Sequence, residues 1–333
     1  MRLTHNENPW PPTPRVRAAL ERTAPGLHRY PTASDEAPLV EALAEHHDVP
    51  TTSILLGAGS ATLLDLVTHV CTRPGATVVC PWRGWEAYPH IIARSRTNFV
   101  PIPLTSADEV DLDAIAHAIT SDTAMVLLTN PHNPTGQALD RQSWRRFLAR
   151  VPSGVTVVID EAYYEFLSPP ERATTASGID TVRDPSNNTR VIVLRTFSKA
   201  FGLAGERIGY AITTSQIAAD LRRCQIPFSV SRTALAAAAA TFHDTAAREA
   251  QLHEIRAERD RLARELTALG YPVHHSSANM LWLPLRNRAE DFATGLARHG
   301  IIVRHWPGDG VRISVGTHTD HNALLAAARV LPR

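Results

Sequence analysis

Residues 191–207 read VIVLRTFSKAFGLAGER, a short apolar run that leads into a polar turn containing Ser198 and Lys199. Earlier apolar runs also lead into polar or glycine-containing turns, at residues 53–56, 77–79, 124–128 and 155–159. Apolar runs without alternation suit strands that are buried on both faces, so the pattern predicts an α/β fold with a mostly parallel sheet covered by helices. In such sheets ligands bind at the carboxyl ends of the strands, where these turns lie.

The pattern changes at about residue 246. Residues 248–269 are typical of a long amphipathic helix, and Gly270 ends it. Shorter elements follow: a strand at 280–283, a helix at 289–298, strands at 301–304 and 311–315, and a final helix. We therefore expect an N-terminal arm at residues 1–26, a large domain at 27–245 and a smaller C-terminal α/β domain at 246–333.

Composition excludes several classes of protein. The 333 residues are 44% hydrophobic and carry a formal net charge of +1, which disfavours disorder and partners such as nucleic acid or acidic membranes. The sequence has no apolar run of the roughly 20 residues that a membrane span needs, and its N-terminus is unlike a signal peptide. Three cysteines without CxxC spacing and scattered histidines predict no disulfide framework and no metal site. We expect a cytoplasmic protein.

Lysine usage is unusual, because Lys199 is the only lysine among 34 basic residues. Arginine replaces lysine as a surface charge, but it does not form an imine with an aldehyde at neutral pH. A chance survivor of codon bias would have random surroundings. Instead Ser198 precedes Lys199, and Gly202, Gly205 and Arg207 follow it, so that the loop can pass close to a ligand.

Residues 196–207 resemble the signature of the histidinol-phosphate and aromatic (phenylalanine) aminotransferases. These belong to the class I/II group of fold-type I enzymes, which depend on pyridoxal 5′-phosphate (PLP). The resemblance extends from residues 6–9 to residues 312–316. It implies a large domain with a sheet of the seven-stranded type, a smaller C-terminal domain, and PLP as cofactor. Lys199 would hold PLP as a Schiff base and move the proton between Cα and C4′.

The same resemblance assigns residues around the PLP ring. Asp160 would pair with the pyridine nitrogen, because a buried carboxylate there keeps the ring protonated. Asn133 and Tyr163 would donate hydrogen bonds to O3′, and Trp85 would stack on the ring. Other interpretations exist: Asp160 with Glu161 as a metal ligand or helix cap, the Asn-Pro-rich segment around Asn133 as a plain turn, and Trp85 as core.

For the phosphate, a glycine turn at the start of a helix presents backbone N–H groups. We expect Ala58 and Gly59 to supply them, with Ser198 and Arg207 completing the cradle. Tyr30 matches a residue that reaches the phosphate of the neighbouring subunit in the family. The resemblance therefore implies a homodimer with shared active sites.

Arg312 matches the arginine that binds the substrate carboxylate, since a guanidinium offers that group two parallel hydrogen bonds. Arg304 and Asn8 are further candidates for substrate binding, although Arg304 could instead be an exposed edge-strand arginine. The implied reaction moves an amino group between an amino acid and a 2-oxo acid.

The substrate is less well defined. Residues 59–62 read GSAT, where many histidinol-phosphate enzymes carry an acidic pair, so the sequence favours an aromatic amino acid. Histidinol phosphate is the alternative. A decarboxylase or cyclase of specialised biosynthesis would keep Lys199 and Asp160, and a non-catalytic PLP-shaped protein is a third possibility. Glu206, where the family usually has leucine, adds a negative charge beside the predicted cradle.

Overall fold

The computed structural model describes residues 1–331 of the chain. Its strands, in chain order, are β1 (Arg2–Leu3), β2 (Ile54–Gly57), β3 (Thr77–Trp82), β4 (Asn98–Pro103), β5 (Thr123–Thr129), β6 (Thr156–Asp160), β7 (Arg190–Thr196), β8 (Gly209–Ile212), β9 (Met280–Leu283), β10 (Ile302–Trp306) and β11 (Gly310–Ser314). Its α-helices are α1 (Pro14–Thr23), α2 (Ala33–His47), α3 (Ser60–Cys71), α4 (Tyr88–Arg94), α5 (Leu112–His117), α6 (Arg141–Leu148), α7 (Pro169–Thr174), α8 (Gly178–Arg183), α9 (Ser215–Cys224), α10 (Arg232–His243), α11 (Thr245–Ala268), α12 (Ala289–Arg298) and α13 (His318–Val330).

Seven strands form the large sheet, in the order β2-β8-β7-β6-β5-β3-β4. Strands β3 to β7 pair in parallel, and β8 runs antiparallel to both of its neighbours, β7 and β2. Separate apolar clusters cover its two faces, and the central strands β5 and β6 are buried along their whole length. The predicted mostly parallel sheet of seven strands is therefore confirmed.

Sequence patterns located the buried central strands of the large sheet but missed two of its other strands. Strand β4 lies at the edge of the sheet, contains two prolines and is only partly buried, so it lacks a continuous apolar run. Strand β8 has only four residues, Gly209–Ile212. Glycine and alanine, which are depleted in strands, occupy two of its four positions, so its local signal is weak.

The small sheet has the order β1-β10-β11-β9 and its own apolar core. Its first strand comes from the predicted N-terminal arm: Arg2 and Leu3 pair in parallel with Ile302 and Val303. Leu3 is buried in that core, so the start of the chain is anchored about 300 residues away in sequence. This pairing holds the following residues, 4–6, in front of the large sheet. The proposed domain limits remain a prediction.

Helix α11 connects the two parts of the molecule. Leu252 and Ile255 in its first half belong to the core against the large sheet, whereas Leu262 and Leu266 in its second half belong to the small-sheet core. Over residues 1–331, every helix is too short or too polar to span a membrane.

Candidate active site

A cavity of about 890 Å³ lies where strands β5, β6 and β7 end, facing strands β10 and β11 of the small sheet. Most of the predicted site residues line it. These are Trp85, Asn133, Asp160, Tyr163, Ser198, Lys199, Arg207, Arg304 and Arg312. The fold thus brings together residues spread over more than 220 positions of the chain, which the sequence had placed only at separate strand ends.

Asp160 is the last residue of β6 and is 5% exposed. The Tyr88 hydroxyl donates a hydrogen bond to its Oδ2 at 2.9 Å, and the Ala162 amide donates to Oδ1 at 3.1 Å. Burial raises the pKa of this carboxyl group to about 6, although both hydrogen bonds oppose that shift. Sequence reasoning missed Tyr88, because nothing in its neighbourhood indicates a carboxylate across the sheet.

Lys199 follows β7 and is half-buried. Its amine donates a hydrogen bond to the backbone oxygen of His5 at 2.6 Å. Burial, followed by the positive charges of Arg312 and Arg207, lowers the pKa of Lys199 to about 8. An amine with this pKa has a substantial neutral, nucleophilic fraction near physiological pH.

Tyr163 and Asn133 are buried next to each other. The Asn133 amide Nδ2 donates to the Tyr163 hydroxyl at 3.3 Å, and its Oδ1 accepts from Arg312 Nη1 at 2.5 Å. The Asn6 amide, from the N-terminal segment, donates to the same hydroxyl at 3.1 Å. Asn6 was not among the predicted site residues, because contacts between residues 157 positions apart leave no local pattern.

The two predicted substrate-binding arginines differ in setting. Arg312, in the middle of β11, is 5% exposed and contacts Asn133 and the Thr4 backbone oxygen, while its Nε has no hydrogen-bond partner in residues 1–331. Arg304, on β10, has a side chain that is half exposed and forms an ion pair with Glu86 at 2.5 Å. Arg312 is therefore inside the cavity, whereas Arg304 lies at its mouth.

The glycine turn of the predicted anion cradle directly precedes α3, with Gly59 as the N-cap residue of that helix. Neither Ala58 nor Gly59 lines the cavity, and the Gly59 amide already donates to the Gly57 oxygen at 2.7 Å. The next two residues, Ser60 and Ala61, do line the cavity and form the first turn of α3, where backbone N–H groups lack helical partners. The geometry therefore favours the backbone amides of Ser60 and Ala61 over those of Ala58 and Gly59 as donors to an anion.

Arg207 and Ser198, the other residues expected in the cradle, contact each other. Arg207 Nη1 donates to Ser198 Oγ at 3.2 Å and to the Ala204 oxygen at 2.9 Å. Gly59 adopts a φ of 90°, and a Cβ placed on it would lie 2.7 Å from Arg207 Nη2. Glycine is needed here both for the left-handed backbone and for the close approach of the guanidinium.

Asn8 and Tyr30 are not part of this cavity. Asn8 lines a different cavity behind the N-terminal segment, where its amide donates to the Ala200 and Gln251 oxygens, both at 3.4 Å. The chain changes direction at Asn6, which has a φ of 53°, and this carries Asn8 away from the site. Tyr30 is 75% exposed and stacks on Phe228 with ring centroids 4.9 Å apart. Its predicted contact with a second subunit remains a prediction.

Comparison with known proteins is consistent with this geometry. Residues 1–330 match the family model of aminotransferase class I and II. Two similar relatives, from Thermobifida fusca and Streptomyces coelicolor, are named aromatic amino acid aminotransferase. The first is 40% identical over 335 residues, covering all of this chain and 90% of the relative. The second is 40% identical over 324 residues, covering 97% and 88%.

A solved structure of histidinol-phosphate aminotransferase from Sinorhizobium meliloti, in complex with pyridoxal-5′-phosphate, is 28% identical to this chain. It superimposes with a TM-score of 0.88 over 98% of this chain and 89% of the other. The fold-type I architecture is therefore confirmed, with a mostly parallel sheet of seven strands. Because the family match spans nearly the whole chain, this protein belongs to the class I and II aminotransferases.

Proposed function

We propose that this aminotransferase uses PLP to move an amino group between an aromatic amino acid and a 2-oxo acid. One observation carries the proposal. The only lysine of the chain and a buried carboxylate without a cationic hydrogen-bond partner, Lys199 and Asp160, line the same cavity at neighbouring strand ends. PLP chemistry requires both groups, an amine at the aldehyde carbon and a carboxylate at the ring nitrogen.

The residues present fit PLP. Asp160 has a raised pKa and only neutral hydrogen-bond donors, so a protonated ring nitrogen would supply the positive charge that it lacks. The free amides of Ser60 and Ala61, together with Arg207, would hold a phosphate. Trp85 offers a flat ring in the cavity wall. When bound, PLP supplies an aldehyde for Lys199 and a ring that withdraws electrons from Cα.

The side chains divide the remaining work. Lys199, with its lowered pKa, takes and returns the proton at Cα of the substrate. Arg312 binds the substrate carboxylate, since its buried Nε has no other partner and its guanidinium can replace the Thr4 contact with a charged one. Asp160 would pair with the ring nitrogen, and the hydrogen bond from the Tyr88 hydroxyl holds its carboxylate in place.

An aromatic substrate is supported by the names of the relatives that are about 40% identical to this chain, and by the absence of an acidic pair in the segment 59–62. Histidinol phosphate is a second candidate. It is favoured by basic side chains lining the cavity in addition to Lys199, Arg207 and Arg312, namely Arg2, His5, His90, Arg304 and His305. These groups would attract a phosphate.

We further propose that two copies of the chain associate and that Tyr30 of each reaches the phosphate cradle of the other. Tyr30 and its stacking partner Phe228 have exposed apolar neighbours in the sequence. Leu27 is 61% exposed, Ile226 77% and Phe228 itself 60%. Exposed apolar residues of this kind are typical of a surface that another protein covers. Measuring the molecular mass in solution and the PLP affinity of Tyr30→Phe would test both parts of this proposal.

The direct test uses the PLP-loaded enzyme and single amino donors: phenylalanine, tyrosine, tryptophan, aspartate and histidinol phosphate. Stopped-flow absorbance follows loss of the lysine-bound cofactor, and chromatography identifies the product. We expect the largest rate with an aromatic donor and release of its 2-oxo acid. Faster reaction of histidinol phosphate would select the second candidate, and release of CO₂ in place of a 2-oxo acid would refute transamination.

A further inference from the structure

The Tyr163 hydroxyl receives two hydrogen bonds from amide groups. Asn6 Nδ2 lies 3.1 Å and Asn133 Nδ2 3.3 Å from the Tyr163 oxygen. The ring is 5% exposed, and the residue lines the active-site cavity. An amide N–H₂ group donates and does not accept, so both contacts use the lone pairs of the phenol oxygen.

Neighbouring groups fix the orientation of both amides. Arg312 has only donors, so the Asn133 atom that faces it at 2.5 Å must be the oxygen, which directs Nδ2 to Tyr163. For Asn6, the Ser314 hydroxyl accepts from the Asn6 backbone N–H at 2.9 Å and donates to Asn6 Oδ1 at 2.7 Å. The other end of the Asn6 amide lies 3.1 Å from Met280 Sδ, a weak acceptor.

We infer that Asn6 is a positioning residue that directs the hydroxyl hydrogen of Tyr163 into the active-site cavity. With two donors on the oxygen, the hydrogen of Tyr163 is left for a third partner, and no other side chain in residues 1–331 forms a hydrogen bond with this hydroxyl. The third partner, on the proposed function, is the O3′ oxygen of PLP. The inference depends on that function and adds how Tyr163 is held as a donor.

The position of Asn6 depends on the docking of the N-terminal segment. Asn6 is 1% exposed, and its backbone oxygen accepts from Asn279 Nδ2 at 2.9 Å. Ser314, which holds its backbone N–H, is the last residue of β11. The donor geometry of Tyr163 is therefore completed by a segment that is anchored on the small sheet through β1.

The test exchanges the donor for an acceptor of the same shape. In Asn6→Asp, an oxygen replaces Nδ2, and the hydroxyl of Tyr163 would turn its hydrogen to that oxygen. The deprotonated form of the lysine-bound cofactor then loses a hydrogen bond at O3′, so its pKa should rise by about one unit. Spectrophotometric pH titration of the PLP-loaded protein measures this pKa independently of turnover. Asn6→Ala, which adds no charge, should shift it in the same direction by less.

Two further variants separate positioning from general docking of the segment. Asn279→Ala removes the bond to the Asn6 backbone oxygen and leaves the amide contact with Tyr163 in place, so the titration should not move. Tyr163→Phe should give the full shift, and adding the uncharged Asn6→Ala to it should change nothing further, since coupled residues are not additive.

The outcomes are distinct. If Asn6→Asp and Asn6→Ala titrate like the parent while Tyr163→Phe shifts, the inference about Asn6 is overturned and the proposed function stands. An equal shift in Asn279→Ala would also overturn it, because mere docking would then explain the effect. If the parent forms no absorbing adduct with PLP at Lys199, the proposed function itself fails.

Discussion

Asp160 and Glu161 are consecutive carboxylates at the end of the same strand, yet they face opposite sides of the large sheet. Glu161 is fully buried, accepts from the Gly178 amide at 2.7 Å and forms an ion pair with Arg195 at 2.6 Å. Asp160 is nearly as buried, but its side-chain partner is the neutral hydroxyl of Tyr88. Burial raises the pKa of both groups, and only Glu161 has an arginine to oppose that shift directly.

This difference separates a structural charge from a functional one. A buried carboxylate that is fully paired supports the fold. A buried carboxylate without a cationic partner keeps an uncompensated desolvation cost, which a positively charged ligand can offset. The contrast extends across the two faces. Arg195 binds both Glu161 and Glu165, while Lys199 and Arg312 have no carboxylate partner in residues 1–331. Three charged groups without an ion pair in the described part of the chain, Asp160, Lys199 and Arg312, thus line the same cavity.

The largest effect should come from Lys199→Arg, which keeps the positive charge and removes the amine that reacts with an aldehyde. We expect turnover to fall by at least about 10⁴-fold, because both covalent capture of PLP and proton transfer are lost. Visible absorbance of the PLP-treated protein and amino-donor assays measure the two losses. Thermal unfolding should be unchanged within about 0.5 kcal/mol, and retained turnover would contradict the assignment of Lys199.

The paired variants Asp160→Asn and Glu161→Gln test the comparison itself. Asp160→Asn should lower kcat/KM by about 10²- to 10³-fold and leave the apoenzyme equally or more stable, since it removes an uncompensated buried charge. Glu161→Gln should leave kcat/KM nearly unchanged and reduce the free energy of unfolding by about 1–3 kcal/mol, because Arg195 loses one of its two carboxylate partners and keeps Glu165. Denaturant unfolding and kinetics per folded molecule distinguish them. Equal losses of stability in both variants would contradict the distinction between a structural charge at Glu161 and a functional charge at Asp160.

Sequence alone was sufficient to locate the cavity residues that follow strands of the large sheet. Asp160, Ser198 and Lys199 directly follow uninterrupted apolar runs, so each could be located from its own neighbourhood. The same local logic predicted the anion cradle at Ala58 and Gly59, whereas the residues near this turn that line the cavity are Ser60 and Ala61. A glycine turn predicts where amides cluster, but not which of them is already used within the turn.

Contacts to the site from distant segments of the chain could not be predicted in this way. Asn6 reaches Tyr163 only because β1 pairs with β10, a contact that no short segment encodes. Tyr88 reaches Asp160 from the first turn of α4, and the two asparagines of one segment, Asn6 and Asn8, look alike in the sequence. The pairing of distant segments is decided by tertiary packing, which local patterns do not contain.

A smaller effect should distinguish the two arginines. Arg312→Gln should lower kcat/KM by about 10- to 100-fold for substrates with a carboxylate, because a charge-assisted hydrogen bond is worth about 1.5–3 kcal/mol. Arg304→Gln loses an exposed pair with Glu86 and should change kcat/KM less than about fivefold. Steady-state kinetics with one amino donor measures both, and a larger effect at Arg304 would contradict the placement of the substrate carboxylate.

The smallest effect is a pH dependence, and it follows from the missing carboxylate partner of Lys199. Burial and the nearby arginines lower its pKa from 10.5 to about 8, so the neutral amine that attacks PLP predominates above that pH and declines below it. The rate of PLP capture by the apoenzyme should therefore rise about tenfold per pH unit below 8 and level off above. N-α-acetyl-lysine, measured under the same conditions, corrects for titration of PLP.

Arg312→Gln removes a positive charge that disfavours the ammonium form, so it should move the inflection to higher pH, whereas Arg304→Gln should not. A profile that follows the free amine up to pH 10 would mean that the cavity does not activate this lysine.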